Sequence, residues 1–420
     1  MATIPCFSVL LFLSLVFLSI SLAHTSYSPC FKKNIGSIPH DHLLYKKDKP
    51  LVIGHRGNPM KYQENTLEGF KSLLNTSADG FEMDIYLTKD DKLVAFHDDN
   101  TQNLTGVNKT VWEMTADELT NLTIKDSLEF GPNTYTFSGR PHIPLVQDVL
   151  EAMNNSGKIM FLEIKPNHAN NFSASSRAGQ LVAKMVTDMG LVNQASITSF
   201  DPIKVRAAHQ ENPNIPTGMF YMRPYWDTKC NILQDALQML PEMKECPLIN
   251  VSDCQSFMKG VFGSGDVLKA VNASFLDMDY KIYDNSLYSN HTFDVLHKNY
   301  SPTISAGAWA MYSMALKNDS AEDVNQDSEI ERLRKIGVKR FITDDVNRLL
   351  HKLGRASTST VLPASESTTR TSSSSSSNSS SSSNSNSNPA NTTRPSSSAV
   401  KEIPCTACYM MAFLILLFCF

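Results

Sequence analysis

Between Leu51 and Asp98 three short apolar runs, Leu51–Ile53, Phe81–Leu87 and Leu93–Phe96, each stop at or carry residues able to do chemistry. The first ends in His55-Arg56-Gly57, the second carries Glu82 and Asp84, and the third ends in His97-Asp98. In a strand, residues two apart face the same way, so Glu82 and Asp84 put two carboxylates on one side. Paired carboxylates, two histidines and an arginine beside a glycine suit a hard divalent cation together with a phosphate. Read as the polar face of a half-exposed strand, the carboxylates would explain themselves. The two histidines closing neighbouring runs so near in the chain would not.

The elements that must position these groups alternate from about Leu51 to Leu353. Strands are expected at Leu51–His55, Gly80–Leu87, Lys158–Lys165, Ala195–Phe200, Ile215–Tyr221, Ala273–Tyr280, Thr303–Trp309 and Val338–Thr343. Helices are expected at Thr66–Leu74, Leu145–Met153, Ser175–Met189, Pro202–Gln210, Asn231–Met243, Ser286–Lys298, Glu329–Ile336 and Asn347–Leu353. Strands each followed by a helix are the tally of an α/β TIM (β/α)8 barrel, whose site lies at the carboxyl ends of its strands. His55, Glu82, Asp84, Glu163, Lys165 and Trp309 fall at or near such ends. Two segments break the rhythm. His97 to Ile143 reads as an excursion above the barrel rim, and Arg223 to Asn272 as a lid stapled by a disulfide. His142, His168 and His209 read as surface histidines.

In that order the motifs resemble those of the glycerophosphodiester phosphodiesterases: H-R-G, P-E-N-T, E-x-D, a strand ending in H-D, and E-x-K. The matches are His55-Arg56-Gly57, Glu64-Asn65-Thr66, Glu82-Met83-Asp84, His97-Asp98 and Glu163-Ile164-Lys165. Weaker echoes follow at Ile143-Pro144, Ser199-Phe200-Asp201, Trp309, Gly337-Val338 and Ile342-Thr343-Asp344. Three positions depart from the pattern. Gln63 replaces a Pro, Trp309-Ala310-Met311-Tyr312 stands for W-T-V-N, and Asp345-Val346 replaces x-Pro.

The resemblance implies a barrel of the phospholipase-C-like phosphodiesterase type that cleaves a glycerol phosphodiester into an alcohol and glycerol phosphate. Glu82, Asp84 and Glu163 would then hold one Ca²⁺ or Mg²⁺. Arg56 and Lys165 would face the phosphate, and His55 and His97 would share the acid and base roles. Arg56 as a rim ion pair and Lys165 as a plain counter-charge to Glu163 stay open. So do Glu64 and Asn65 as supports, and Trp309 as packing or substrate wall. A lysophospholipase D-type or sphingomyelinase-like enzyme taking lysophospholipid, and a barrel without turnover, are the rival readings.

The ends of the chain suggest an address. Phe7–Ile20 is almost wholly apolar and Ser21-Leu22-Ala23 follows, which describes a signal peptide over residues 1–23 with an extension over 24–50. A membrane anchor competes, although the run is short for a bilayer. Ser357–Ser398 is dominated by Ser and Asn and has almost nothing to pack, so residues 354–398 read as a disordered stalk. Small residues at Ser397-Ser398-Ala399, a spacer and the apolar Tyr409–Phe420 form the pattern of a GPI-attachment signal over 399–420. Ser397 is the candidate for the lipid. Asn-x-Ser/Thr sequons from Asn75 to Asn318 agree with a secreted glycoprotein. Of the cysteines, Cys30, Cys230, Cys246 and Cys254 would remain after processing, enough for disulfides of open pairing. The expected location is the outer face of the plasma membrane, or else the medium. A net charge of −4 gives no reason to expect nucleic acid.

Overall fold

The computed structural model describes residues 30–45, 49–166, 171–283, 305–317 and 320–355. The signal peptide, His168, the helix expected at Ser286–Lys298, the sequons at Asn290, Asn299 and Asn318, the stalk, Ser397 and the GPI signal lie outside the described residues.

Eight parallel strands close on themselves: β1 (Leu51–Gly54), β2 (Gly80–Leu87), β6 (Ile159–Ile164), β7 (Ala195–Ser199), β8 (Thr217–Tyr221), β9 (Phe275–Asp279), β10 (Ser305–Met311) and β11 (Arg340–Thr343). Closure is made where Ile53 and Gly54 of β1 pair with Gly80 and Phe81 of β2, and where β1 pairs with β11 on its other side. A barrel leaves no unpaired edge. Period-two alternation decides what faces where. On β6, Ile159 and Phe161 join Leu51, Ile53, Phe220, Phe275 and Ile342 in the interior cluster, whereas Met160, Leu162 and Ile164 join the outer core against the helices. On β2 the outer positions are Phe81, Met83, Ile85 and Leu87. Glu82 and Asp84 are thereby left pointing inward.

The helices start where capping chemistry allows it. Thr66 caps α1 (Leu67–Ser72), Asn171 caps α3 (Phe172–Asp188), and Asp201 with Pro202 opens α4 (Pro202–Glu211). Between the first two lies α2 (Val146–Met153). Asp345, one of the departures from the family pattern, caps α9 (Val346–Lys352) and accepts the Arg348 amide. The helix expected at Glu329–Ile336 begins much earlier. As α8 (Ala321–Lys335) it starts behind Ser320, and its first turns are so polar that no apolar period announces them.

The excursion after His97 has its own small core around Tyr86, Phe96, Leu104, Val111, Leu119, Leu128 and Phe137. It contains an unexpected hairpin, β4 (Ser127–Phe130) with β5 (Asn133–Thr136), turning on Gly131-Pro132. The segment expected as a lid packs elsewhere. Its α5 (Cys230–Gln238), α6 (Cys254–Ser264) and α7 (Asp266–Val271) bury Leu233, Leu237, Phe257 and Val267 in the outer core, and Glu242 pairs with Arg206 of α4. It replaces a crossover helix rather than covering the mouth. Two disulfides form: Cys230–Cys254 within the segment, and Cys30–Cys246, which ties it to the N-terminal extension. That extension plugs the floor, with Ile38 and Leu44 in the interior cluster and the His42 ring on the Ala195 carbonyl.

Candidate active site

The third apolar run is β3 (Leu93–Ala95), and it is not a barrel strand. β2 rises past the rim and turns at Thr88–Lys92; β3 descends antiparallel to it, with Ile85 opposite Ala95. The Phe96 amide reaches the Asp84 carbonyl at 3.1 Å. His97 is thus delivered downward to the level of Asp84, whereas His55 arrives upward from β1.

Both histidines line one cavity of about 420 Å³ at the carboxyl ends of the strands. Arg56, Tyr86, Asp98, Glu163, Lys165, Phe200, Phe220, Met222 and Trp309 complete most of its wall. Beneath it lie Glu82 and Asp84, which are 1% and 0% exposed. One oxygen from each of Glu82, Asp84 and Glu163 falls within 4.8 Å of the others. The motif E-N-T serves as scaffold. Asn65 exchanges two hydrogen bonds with Asp84, donating to Oδ2 at 2.7 Å and accepting the Asp84 amide at 3.1 Å. Glu64 holds Arg56 at 2.9 Å and so supports the guanidinium rather than the cavity floor. Arg56 and Asn65 both take left-handed backbone, φ 53° and 54°. For Arg56 that conformation lets its amide donate to Glu82 Oε2 at 2.9 Å while its side chain turns to Asp84, 3.5 Å away. Such strain persists only where surrounding contacts fix it.

Lys165 spans two carboxylates, 3.2 Å from Asp84 Oδ1 and 2.9 Å from Glu163 Oε1. It is a counter-charge and a cavity residue at once. Each histidine offers Nδ1 to an aspartate: His55 to Asp344 at 2.5 Å, His97 to Asp98 at 2.8 Å. Trp309 is likewise both packing and wall, standing edge-on to Phe200 with centroids 5.8 Å apart and parallel to Phe220. Beyond it Ala310 and Tyr312 also take left-handed backbone, at a bulge between β10 and β11. Where the family has Asn, which tolerates that region, Tyr312 is pinned by Asp327 and by the Arg348 guanidinium 4.1 Å over its ring.

The charges are unequal. Burial and the adjoining Asp84 and Glu163 carboxylates raise the Glu82 carboxyl well above its ordinary range. Burial would raise Asp84 as well, but Lys165, His97, Arg56 and His55 hold it below that range. Arg56 and Lys165 are held more firmly protonated than usual, since their carboxylate neighbours outweigh the burial of their charge. Glu82 Oε1 is buried with no hydrogen-bond partner in the protein. An orphaned buried carboxylate oxygen inside an all-oxygen acidic trio fits a hard divalent cation. Glu82, Asp84 and Glu163 are the residues that would hold it.

His55, Arg56, His97, Glu163, Lys165 and Trp309 line this mouth, Glu82 and Asp84 lie beneath it, and Glu64 and Asn65 hold Arg56 and Asp84. Ser397 is outside the described residues, and the described cysteines are remote from the mouth, in the disulfides. His142 is exposed as expected, but His209 is half-buried and bonded to Asn272 at 2.6 Å. Sequence reasoning gave no role to Asp344, Tyr86, Phe220 or Met222. Asp344 alone carried a signal, since it closes the last strand after Thr343.

A closed parallel barrel with acids and imidazoles gathered at its carboxyl mouth defines an enzyme of the (β/α)8-barrel class. The family model described as the glycerophosphoryl diester phosphodiesterase family matches residues 55–272, and the chain belongs to that family. A glycerophosphodiester phosphodiesterase of Caldanaerobacter subterraneus is 28% identical over 173 residues, 41% of this chain and 67% of that protein. Human lysophospholipase D GDPD1 is 31% identical over 130 residues, 30% of this chain and 41% of that protein. The match thus spans about two thirds of the bacterial relative and less than half of the human one. For the fold, a solved structure from Silicibacter pomeroyi superposes with a TM-score of 0.54 at 18% identity, over 77% of this chain and 100% of that one.

Proposed function

We propose that the chain hydrolyses glycerophosphodiesters to an alcohol and glycerol phosphate, using one divalent cation, Ca²⁺ or Mg²⁺. The observation that carries this reading is the convergence of Glu82, Asp84 and Glu163 beneath a cavity lined by His55, His97, Arg56 and Lys165. A phosphodiester is a stable anion, so its cleavage needs charge neutralised, a nucleophile deprotonated and a leaving alkoxide protonated. A bound cation supplies charge neutralisation and orientation at the phosphate oxygens. Arg56 and Lys165 add fixed positive charge where the transition state is most negative. His55 and His97 are each anchored through Nδ1, which leaves Nε2 as the nitrogen for proton exchange with the substrate.

The test is product analysis on deacylated phospholipids with EDTA followed by Ca²⁺ or Mg²⁺ add-back, for wild type, His55→Ala and His97→Ala. Loss of at least a hundredfold in both variants is expected. Unchanged activity in either overturns the acid–base reading, and no activity in the wild type favours a barrel without turnover. One observation favours a second substrate class. Phe200, Phe220, Met222 and Trp309 give the cavity an apolar side that glycerophosphocholine has little to cover. A lysophospholipid, as the human relative's name implies for that protein, would place an acyl chain there; a sphingomyelinase-like substrate would do the same. Faster turnover of lysophosphatidylcholine than of glycerophosphocholine decides for that class.

We place the enzyme at the outer face of the plasma membrane, anchored through Ser397. In support, all described cysteines are paired, as an oxidising compartment requires. Release from cells by a phosphatidylinositol-specific phospholipase C tests the anchor, and a Ser397→Leu chain that is still anchored moves the site to a neighbouring residue.

A further inference from the structure

We propose that Asp344 is a positioning residue for His55, and that the β4–β5 hairpin holds Asp344 in register through the backbone of Met314. The inference rests on the hydrolytic reading above, in which His55 exchanges a proton with the substrate.

Asp344 is 7% exposed and its two oxygens face in different directions. Oδ1 lies 2.5 Å from His55 Nδ1, and Oδ2 accepts the Met314 amide at 2.7 Å. An ionised carboxylate only accepts, so Nδ1 carries the proton and Nε2 presents its lone pair. Arg56 Nε, which can only donate, sits 3.3 Å from that same Nε2. Two independent neighbours thus select one tautomer. Burial would push the Asp344 carboxyl up, yet His55 and the Met314 amide hold it below the ordinary range, in the acceptor form.

Met314 is the joint. It sits in the irregular turn after β10, where no ladder of backbone bonds fixes the chain. The hairpin fixes it instead. Asn133 donates its side-chain amide to the Met314 carbonyl at 2.9 Å and to the Leu316 carbonyl at 2.5 Å. The Tyr135 hydroxyl reaches the same Met314 carbonyl at 3.4 Å. Gly131, at φ 57°, lets the hairpin tip close down on this turn: a Cβ there would stand 2.5 Å from the Ala315 carbonyl oxygen. The Met314 side chain is buried in the core of the excursion. One residue therefore connects the excursion, through its carbonyl, to the imidazole, through its amide and Asp344. A roof that merely covered the mouth would not need to grip that residue.

The test uses the full chain supplied with Ca²⁺ or Mg²⁺ and follows kcat and KM separately. Asp344→Asn should lower kcat about tenfold or more with KM within about threefold, as loss of an orienting partner does. Asn133→Ala should lower kcat about three- to tenfold, again with little change in KM, and should add less than about twofold in the Asp344→Asn background. A second readout needs no turnover: the downfield Nδ1 proton of His55, assigned by its absence in His55→Ala. It should move upfield in Asp344→Asn and broaden in Asn133→Ala. Unchanged kcat in Asp344→Asn, multiplicative losses in the double variant, or an unmoved resonance overturns the proposal. Should Asp344→Asn fail to fold, Asn133→Ala and the wild-type resonance decide it. A wild-type protein with no phosphodiesterase activity sinks the hydrolytic reading instead, and the resonance then still reports on the Asp344–His55 bond.

Discussion

Replacing Glu82 by Gln should stabilise the cation-free protein and abolish its response to a divalent cation. Glu82 shares a buried site with Asp84 and Glu163, with one oxygen of each within 4.8 Å of the others. At that separation and an effective dielectric near 20, each like-charged pair costs about 3.5 kcal/mol. Lys165 offsets part of this, but its contacts go to Asp84 and Glu163, not to Glu82. Removing the Glu82 charge should therefore gain about 2 kcal/mol, a rise of roughly 3 °C in melting temperature for a folded region of about 300 residues. Gln keeps the acceptor that the Arg56 amide uses and presents its NH₂ to the adjoining carboxylates. The pH dependence has a definite sign. In the folded chain Glu82 holds its proton to higher pH than in the unfolded chain. Its contribution is therefore full below the ordinary carboxyl range and is lost as pH rises through the raised value. The advantage of Gln should grow from pH 5 to pH 8 in EDTA. With cation at a hundred times its dissociation constant, wild type should gain about 2.7 kcal/mol and the variant far less. Urea unfolding with EDTA, with Ca²⁺ and with Mg²⁺ measures all of this. A variant less stable than wild type in EDTA, or equally stabilised by cation, would falsify the account of this trio as a cation site.

Three further outcomes follow from groups away from the mouth. His42 is buried and neutral, with Nε2 donating to the Ala195 carbonyl at 2.9 Å and Nδ1 accepting the Leu44 amide at 3.0 Å, and burial holds it down to about 4. Its contribution is whole above its ordinary value and lost as pH falls toward that lowered one; wild type should lose up to about 3 kcal/mol there, and a His42→Gln profile that falls in parallel refutes the assignment. Asp277→Ala, which strands the fully buried Arg340 guanidinium, should cost about 3–5 kcal/mol in urea, with Arg340→Met in the same chain recovering most of it. A neutral single variant would mean the pair matters little. Loss of Cys30–Cys246, with partners 216 apart, should cost more than loss of Cys230–Cys254, 24 apart: about 5 against about 3.5 kcal/mol by chain entropy, and the reverse order points to strain or residual structure instead.

The barrel could be read from the sequence because its strands are short, apolar and punctuated by chemistry. All eight expected strands exist, with ends within about two residues of those expected, and the second, expected at Gly80–Leu87, matches to the residue. The acidic trio was legible for the same reason: spacing of two on a strand fixes a face regardless of tertiary context. What could not be read depends on partners far away in the chain. Asp344 meets His55 across 289 residues, and no local pattern encodes that meeting. The excursion was visible only as a missing period, although Gly131-Pro132 between two short alternating runs is a turn signal that would have found its hairpin. The supposed lid failed because three cysteines suggested a separate unit, whereas the apolar faces of α5 and α6 are part of the barrel's outer core.

The two charged layers of the barrel interior show why one is a site and the other is structure. In the lower layer Arg340 meets Asp277 through two nitrogens at 3.0 and 2.9 Å, donates also to Ser305, and lies between the Phe161 and Phe275 rings. One cation faces one anion, every donor direction toward the pair is used, and there is no room: a Cβ on Gly307 would collide with the Asp277 carboxylate. At the mouth the same inward positions of β2 and β6 carry Glu82, Asp84 and Glu163 against Lys165 and a guanidinium already engaged by Glu64. Buried ion pairs persist when their charges and hydrogen bonds close on themselves. The lower layer closes and is inert. The upper layer has an excess of acid, an orphaned oxygen on Glu82 and a cavity above it, which is the condition of a site that completes its charge by binding.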